Sequence, residues 1–230
     1  MAALLELLGP GERVELVVQP IASIENHGVL PLGSDLLIAR CVAERLRLPR
    51  GAAVAPPIPY STAMEHEGFR VSLSPETFIR YLVEAGSSIL QGARSLVFAV
   101  FHGGAFHAAY LAARVLRGRG HDAYLFNFWD TVSRALGREA LIHADCVEAS
   151  ILLACGHSKG VKPVEELGEE CLRSSPGFQP WVARDVPGIY PAEPVPASRR
   201  LGERLLGEAV TRLEELVESI LGRRRASSPG

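Results

Sequence analysis

The sequence predicts an α/β protein, a three-layer α/β/α sandwich with a mostly parallel central sheet. Short β-branched runs alternate along the chain with segments of helical period, and parallel neighbours in a sheet need the crossover connections that helices supply. Size supports a single unit. The chain has 230 residues, 47% of them hydrophobic, enough to bury one substantial core. No low-complexity linker divides it, so residues 1–222 read as one domain.

The elements follow in order. MAALLELLG is apolar but short and carries Glu6, which fits an ordinary first helix better than a secretion leader. Val14 to Ala22, VELVVQPIA, is a strand rich in β-branched residues. After Pro31 and Gly33, Ser34 is placed to cap a helix through LLIARCVAERL. AAVAPPIPYS is a short strand broken by prolines, and AMEHEGFRVSLS is a polar loop holding Glu65, His66 and Glu67. Pro75 opens a helix through FIRYLVEAGSSILQG, Ser95 to Phe101 forms a buried strand, and Ala105 to Arg117 forms another helix. Asp122 to Asp130 reads as the next strand and CVEASILLACG as a helix. His157 to Arg200 is rich in Gly and Pro, a pattern that marks a lid or an oligomer contact. LGERLLGEAVTRLEELVESIL closes the fold as an amphipathic helix, and residues 223–230, RRRASSPG, form a disordered basic tail.

Composition excludes several classes of partner. A formal net charge of -2 gives no electrostatic reason to expect nucleic acid, and no apolar run is long enough to span a bilayer. Cys41, Cys146, Cys155 and Cys171 lack both C-x-x-C spacing and the density of a secreted disulfide scaffold. Reduced thiols in a soluble cytoplasmic protein are expected.

The chemistry concentrates in two places. In IENHGVLPLGSD, residues two apart in an extended segment point the same way, so Glu25 and His27 aim at one point. Asp35 closes that segment, although a carboxylate in the first turn of a helix is also favoured by the helix dipole alone. His102 stands at the C-terminal end of the Ser95 to Phe101 strand, where open α/β sheets place their ligands. Gly103 and Gly104 follow and allow backbone to approach a substrate closely. Imidazole and carboxylate without thiolate form a set suited to divalent Zn, with Mn or Fe as further candidates.

These residues resemble a known family. IENHGVLPLGSD is similar to the E-x-H-G-x-x-L-P-x-x-x-D signature of the creatininase (creatinine amidohydrolase) family. YSTAMEHEGF resembles its S-x-E-H-x-x-F loop, FHGGA its N-H-G-G-N turn, and HADCVEAS its H-A-G-x-x-E-T-S segment. The matches run in family order from Pro20 to about Ser150, and GIYPAEPVPAS is a weaker echo of a G-x-x-G-x-P-x-x-A-T segment. The resemblance implies the same α/β/α fold, a homohexamer, and two divalent metals at the C-terminal ends of the strands. By that pattern Glu25 and His102 hold one metal, His27 helps hold the other, and Asp35 bridges them. Glu148 is a ligand or supports one.

The activity so implied is metal-dependent amide hydrolysis. Family members cleave non-peptide C–N bonds, including cyclic amides such as creatinine and formamides of pyrimidine precursors, and others process a modified peptide. For this chain the expectation is a small polar amide attacked by water activated between two metals. His143 and Glu148 are the catalytic candidates, His143 as acid or base because imidazole titrates near neutrality. His66, Glu65, Gly103 and Gly104 are the substrate-side candidates. His143 also reads as a helix cap and His66 as a solvated loop residue.

The chain departs from the family at Phe101, Ala105, Ile142, Asp145 and Ala149, where polar or smaller groups are usual. Loss of polar groups behind the ligands weakens their orientation. A catalytically weakened member, serving as an oligomeric scaffold or ligand-binding protein, is the alternative. Substrate shape would be set around Tyr60, Phe69, Trp129 and Trp181.

Overall fold

A computed structural model describes residues 2–9, 11–137, 143–172 and 189–227. Its main sheet has five strands, β1 (Ala3–Leu4), β2 (Leu16–Ile21), β3 (Ala52–Val54), β4 (Ser95–Val100) and β5 (Asp122–Asn127), in the order β1-β3-β2-β4-β5. Every pairing in it is parallel, and β2 meets β4 in a register running from Leu16 opposite Ser95 to Ile21 opposite Val100. The two central strands therefore end at the same edge, which is what brings their following residues together.

The connections are helices α1 (Ser34–Arg45), α2 (Pro75–Gly92), α3 (Phe106–Gly118), α4 (Phe128–Leu136), α5 (Cys146–Ala154) and α6 (Arg199–Ser227). A small parallel pair, β6 (Val161–Pro163) and β7 (Val195–Ala197), lies outside the main sheet. Side chains alternate across the sheet with the period of two that a strand imposes. Leu16, Val18, Val97 and Ala99 pack towards α1, α4, α5 and α6. Val17, Ile21, Leu96, Phe98 and Val100 pack towards α2 and α3. Both layers are buried, as a parallel sheet requires, and each fully buried Phe or Leu contributes about 1.5–3 kcal/mol.

Local chemistry fixes the ends of the helices. Ser74 Oγ accepts from Thr77 N with Pro75 beginning α2, and Asp145 accepts from Val147 N and Glu148 N at the start of α5. Ser34 does not cap α1 as its sequence context predicts. Gly33 holds that position, and Ser34 Oγ instead donates to Pro31 O at 2.7 Å.

Other boundaries differ as well. Residues 3–7 form the short edge strand β1 and a 3-10 turn rather than a first helix, because Ala3 and Leu4 find an unpaired edge of β3. The strand expected over Asp122 to Asp130 stops at Asn127, whose side chain accepts from Asp130 N and starts α4. Residues 223–227, expected in a disordered tail, continue α6. Trp181 and Ile142 lie outside the described residues. Among the described residues, no helix is long and apolar enough to cross a membrane.

The cysteines also correct their expectation. Cys41 on α1 pairs with Cys155 at the end of α5, and Cys146 at the start of α5 pairs with Cys171, with Cα separations of 5.8 and 5.5 Å. Among the described residues, no cysteine is left as a free thiol. Sequence separations of 114 and 25 residues hide both pairs from any spacing argument.

Candidate active site

Five segments converge beyond the strand ends. The chain leaving β2 carries Ser23, Glu25 and His27, and the chain leaving β4 carries His102. Asp35 sits in the first turn of α1, while Glu65 and His66 come from the loop after β3. His143 and Glu148 flank the start of α5. Glu25, His27, Asp35, His66, His102, His143 and Glu148 are all buried. Buried charge on this scale demands compensation.

The hydrogen bonds fix which way each imidazole faces. His27 Nδ1 is 3.0 Å from Glu25 O, His102 Nε2 is 3.0 Å from Thr62 O, and His143 Nε2 is 3.2 Å from Asn26 O. A carbonyl only accepts, so each of those nitrogens carries a proton and donates. In the neutral ring the other nitrogen then turns a lone pair inward. His102 Nδ1 lies 3.1 Å from both Glu25 Oε1 and Asp35 Oδ2, and His27 Nε2 lies 3.2 Å from Glu148 Oε1. Ser23 Oγ donates to Asp35 Oδ2 at 2.7 Å, and Ala144 N donates to Glu148 Oε2 at 2.6 Å.

Lone pairs facing carboxylates repel unless something positive stands between them. Glu25 Oε1 and Oε2, His27 Nε2 and Glu148 Oε1 are buried and make no hydrogen bond, although ion-pair neighbours surround them. Protons supply the charge when no cation does. Burial opposes a charge on His27, yet Glu148, joined by Asp35 and Glu25, outweighs it and raises the imidazole to about 10. Burial also opposes charge on His102, but Glu25 and Asp35 hold it well above its usual value. Burial pushes Asp35 up, but His102, His27 and the Ser23 hydroxyl together bring it below its usual value, whereas burial leaves Glu25 raised.

The other two imidazoles behave oppositely. Burial, with His102 next in weight, lowers His66 to about 3. Burial, with His27 next, puts His143 well below the usual range. The rings of His27, His143 and His66 follow one another with centroids 4.4 Å apart at each step. Among the described residues, three sets could hold a cation: Glu25 with His66 and His102, Glu25 with His27 and His143, and His27 with Asp35 and Glu148. The donor set is nitrogen and oxygen only, which fits Zn, Mn or Fe.

The structure thus gathers every residue singled out as a ligand or catalytic group, namely Glu25, His27, Asp35, His102, His143 and Glu148. Glu65 and His66 join them: Glu65 Oε1 is 3.6 Å from His102 Nε2 and 3.9 Å from His66 Nε2. Gly104 lies against this carboxylate, and any Cβ there would overlap Glu65 Oε1 and crowd His102 Nε2. Gly103 borders the same turn but meets nothing within 4 Å of its own Cβ position. Tyr60 and Phe69 are exposed, and Trp129 instead donates from Nε1 to Phe101 O at 2.6 Å.

The departures at Phe101, Ala105, Asp145 and Ala149 do not disturb the imidazoles. Main-chain carbonyls orient His27, His102 and His143, so side-chain changes behind them remove no partner. Phe101, Ala105 and Ala149 are buried apolar packing, and Asp145 caps the helix that carries Glu148, worth about 1 kcal/mol. Two further residues escape the sequence reading. Ser23 shares the two-residue spacing of Glu25 and His27, a signal that was available. Tyr190, whose hydroxyl lies 3.4 Å from His66 Nδ1, arrives from 124 positions away within GIYPAEPVPAS, a segment whose family echo gave the tyrosine no role.

Comparison with known proteins places the chain. Residues 9–217 match the creatininase family model, described as creatinine amidohydrolase. A mycofactocin precursor peptide peptidase from Mycolicibacterium smegmatis is 33% identical over 215 residues, covering 86% of this chain and 82% of that protein. A candidate creatinine amidohydrolase from Bacteroides fragilis shares the fold with a TM-score of 0.65 at 21% identity, over 94% of this chain and 95% of that one. A structure designated Creatininase Mn superposes with a TM-score of 0.61 at 19% identity, over 95% and 98% of the two chains. With the match spanning both strands and all the converging segments, the chain belongs to the creatininase family.

Proposed function

We propose that this protein is a metal-dependent hydrolase that cleaves an amide C–N bond of a precursor peptide, using two divalent cations. The observation that carries the metal reading is the inward lone pairs of His27 and His102 set against the buried carboxylates of Glu25, Asp35 and Glu148. Glu25, Asp35 and His102 would hold one cation and His27, Asp35 and Glu148 the other, with Asp35 shared. Bound there, a cation pair would lower the pKa of water towards neutrality and polarise the amide carbonyl.

The chain's own residues supply the rest. Ser23 fixes one oxygen of Asp35, and Ala144 N fixes one of Glu148, so each carboxylate is presented in a single orientation. His143 is kept neutral by burial, and its Nδ1 faces the site. It takes up the proton of the attacking water at Nδ1 and returns it to the departing nitrogen. Exclusion of bulk water strengthens each of these contacts.

A peptide takes precedence over the cyclic amide or formamide expected from sequence for two reasons. The Mycolicibacterium smegmatis relative is named a precursor peptide peptidase. In addition, an open groove of about 270 Å³ begins at Glu65 and Gly104 and is lined by Met64, Ile79, Ala108 and Leu111, apolar walls suited to a side chain.

The test loads the protein separately with Zn, Mn and Fe and follows mycofactocin precursor peptide by mass spectrometry, with creatinine and formamides alongside. Cleavage of the peptide supports the proposal. Turnover of only the small amides would move the substrate back to the non-peptide class, and a metal-replete protein inert to all of them would favour the scaffold reading.

A further inference from the structure

His66 differs from its neighbours in what lies behind it. His27, His102 and His143 each have a backbone carbonyl at the outer nitrogen. Behind His66 Nδ1 is the hydroxyl of Tyr190, 3.4 Å away. That hydroxyl already accepts a hydrogen bond from Glu67 N at 2.8 Å. Its own proton is therefore free to be donated, and His66 Nδ1 is the acceptor it meets among the described residues.

The consequence reverses the polarity of the ring. If Nδ1 accepts, the neutral imidazole carries its proton on Nε2, the atom 3.2 Å from Glu25 Oε1. An N–H beside a carboxylate is attracted to it without help from a cation. His66 thus sets a donor nitrogen 3.2 Å from the carboxylate, a compatible neighbour although no hydrogen bond is formed, whereas the inner faces of His27 and His102 are satisfied only by positive charge.

We infer that Tyr190 is a positioning residue that holds His66 as its Nε2–H tautomer, so that His66 donates a hydrogen bond to the substrate's carbonyl oxygen and is not a cation ligand. This rests on the hydrolase reading above and assigns His66 a place in it. With the Glu25 carboxylate engaged in holding a cation, the Nε2–H would be left to face the reacting carbonyl, where a fixed donor stabilises developing negative charge. Of the residue sets able to hold a cation, the one containing His66 is thereby set aside.

The experiment uses the zinc-loaded full chain, with Tyr190→Phe, His66→Gln and His66→Ala variants. Long-range 1H–15N spectra read the tautomer of His66, elemental analysis reads zinc per chain, and steady-state kinetics separate kcat from KM. The expected result is a single Nε2–H tautomer in the unaltered protein that becomes mixed in Tyr190→Phe, with zinc content unchanged in all three variants. Tyr190→Phe lowers kcat about tenfold with little change in KM. His66→Ala lowers it on the order of a hundredfold, and His66→Gln, which keeps an N–H donor, recovers part of that loss. Loss of zinc in His66→Ala, or an Nδ1–H tautomer in the unaltered protein, overturns the inference. A protein that holds zinc yet cleaves no amide defeats the hydrolase reading alone, since tautomer and zinc content still decide this one.

Discussion

His27 Nε2 stands 3.2 Å from Glu148 Oε1, and neither side chain reaches solvent. The same ring donates from Nδ1 to Glu25 O, so its inner nitrogen holds either a proton or a cation against the carboxylate. Proton and metal compete for one place, and that competition has measurable consequences.

The first concerns stability against pH. His27 is raised to about 10 in the folded protein, above its ordinary value of 6.5. The folded state binds the extra proton between those values, so this contribution is complete below 6.5 and is lost as pH rises through about 10. Chemical denaturation of metal-free protein should show stability falling across that window. Zinc-loaded protein should show little of the fall, because the proton has already gone. Equal slopes for both forms would mean that His27 is not where zinc binds.

Removing the shared carboxylate is expected to act on both cation positions together. Asp35→Ala takes away the group that meets His102 Nδ1 and the acceptor of Ser23 Oγ. Bound zinc should fall well below that of the unaltered protein, and activity should fall on the order of a thousandfold, equivalent to about 4 kcal/mol of barrier. Retention of full zinc with lost activity would give Asp35 a different role.

Gly104 is required by space rather than by backbone conformation. The Cβ of Gly104→Ala would overlap the Glu65 carboxylate and crowd His102 Nε2, which is held by Thr62 O. Displacing His102 should weaken zinc binding about 10–100-fold, the range seen when a ligand's support is disturbed. Thermal stability should change little, which a melting curve recorded beside the zinc titration would check.

Both cysteine pairs should resist thiol reagents until reduced. Cys41–Cys155 closes a long loop between α1 and α5, and pairs of this kind contribute about 2–4 kcal/mol. Titration of unreduced protein should find no free thiol, and reduction should lower the melting temperature. Four reactive thiols in protein purified without reductant would restore the expectation drawn from sequence.

Much of the architecture was legible because it rests on local period. Unbroken apolar and β-branched runs marked the two central strands, and Pro75 marked a helix start through a rule that acts within a few residues. Glu25 and His27 could be paired because an extended chain repeats every two residues. Features set by tertiary neighbours were not legible. Ala3 and Leu4 become a strand only because β3 offers an edge, Cys41 and Cys155 pair only because α1 packs on α5, and Tyr190 reaches His66 only because the chain leading to β7 returns to the site. The orienting partners of the imidazoles are main-chain carbonyls, which no residue identity encodes.

The central claim is that two cations share Asp35, and anomalous scattering from zinc-loaded crystals measured at the zinc edge tests it most directly. The expected map has two peaks per chain, one among Glu25, Asp35 and His102 and the other among His27, Asp35 and Glu148. A single peak, or peaks with Asp35 outside coordinating distance, would contradict it.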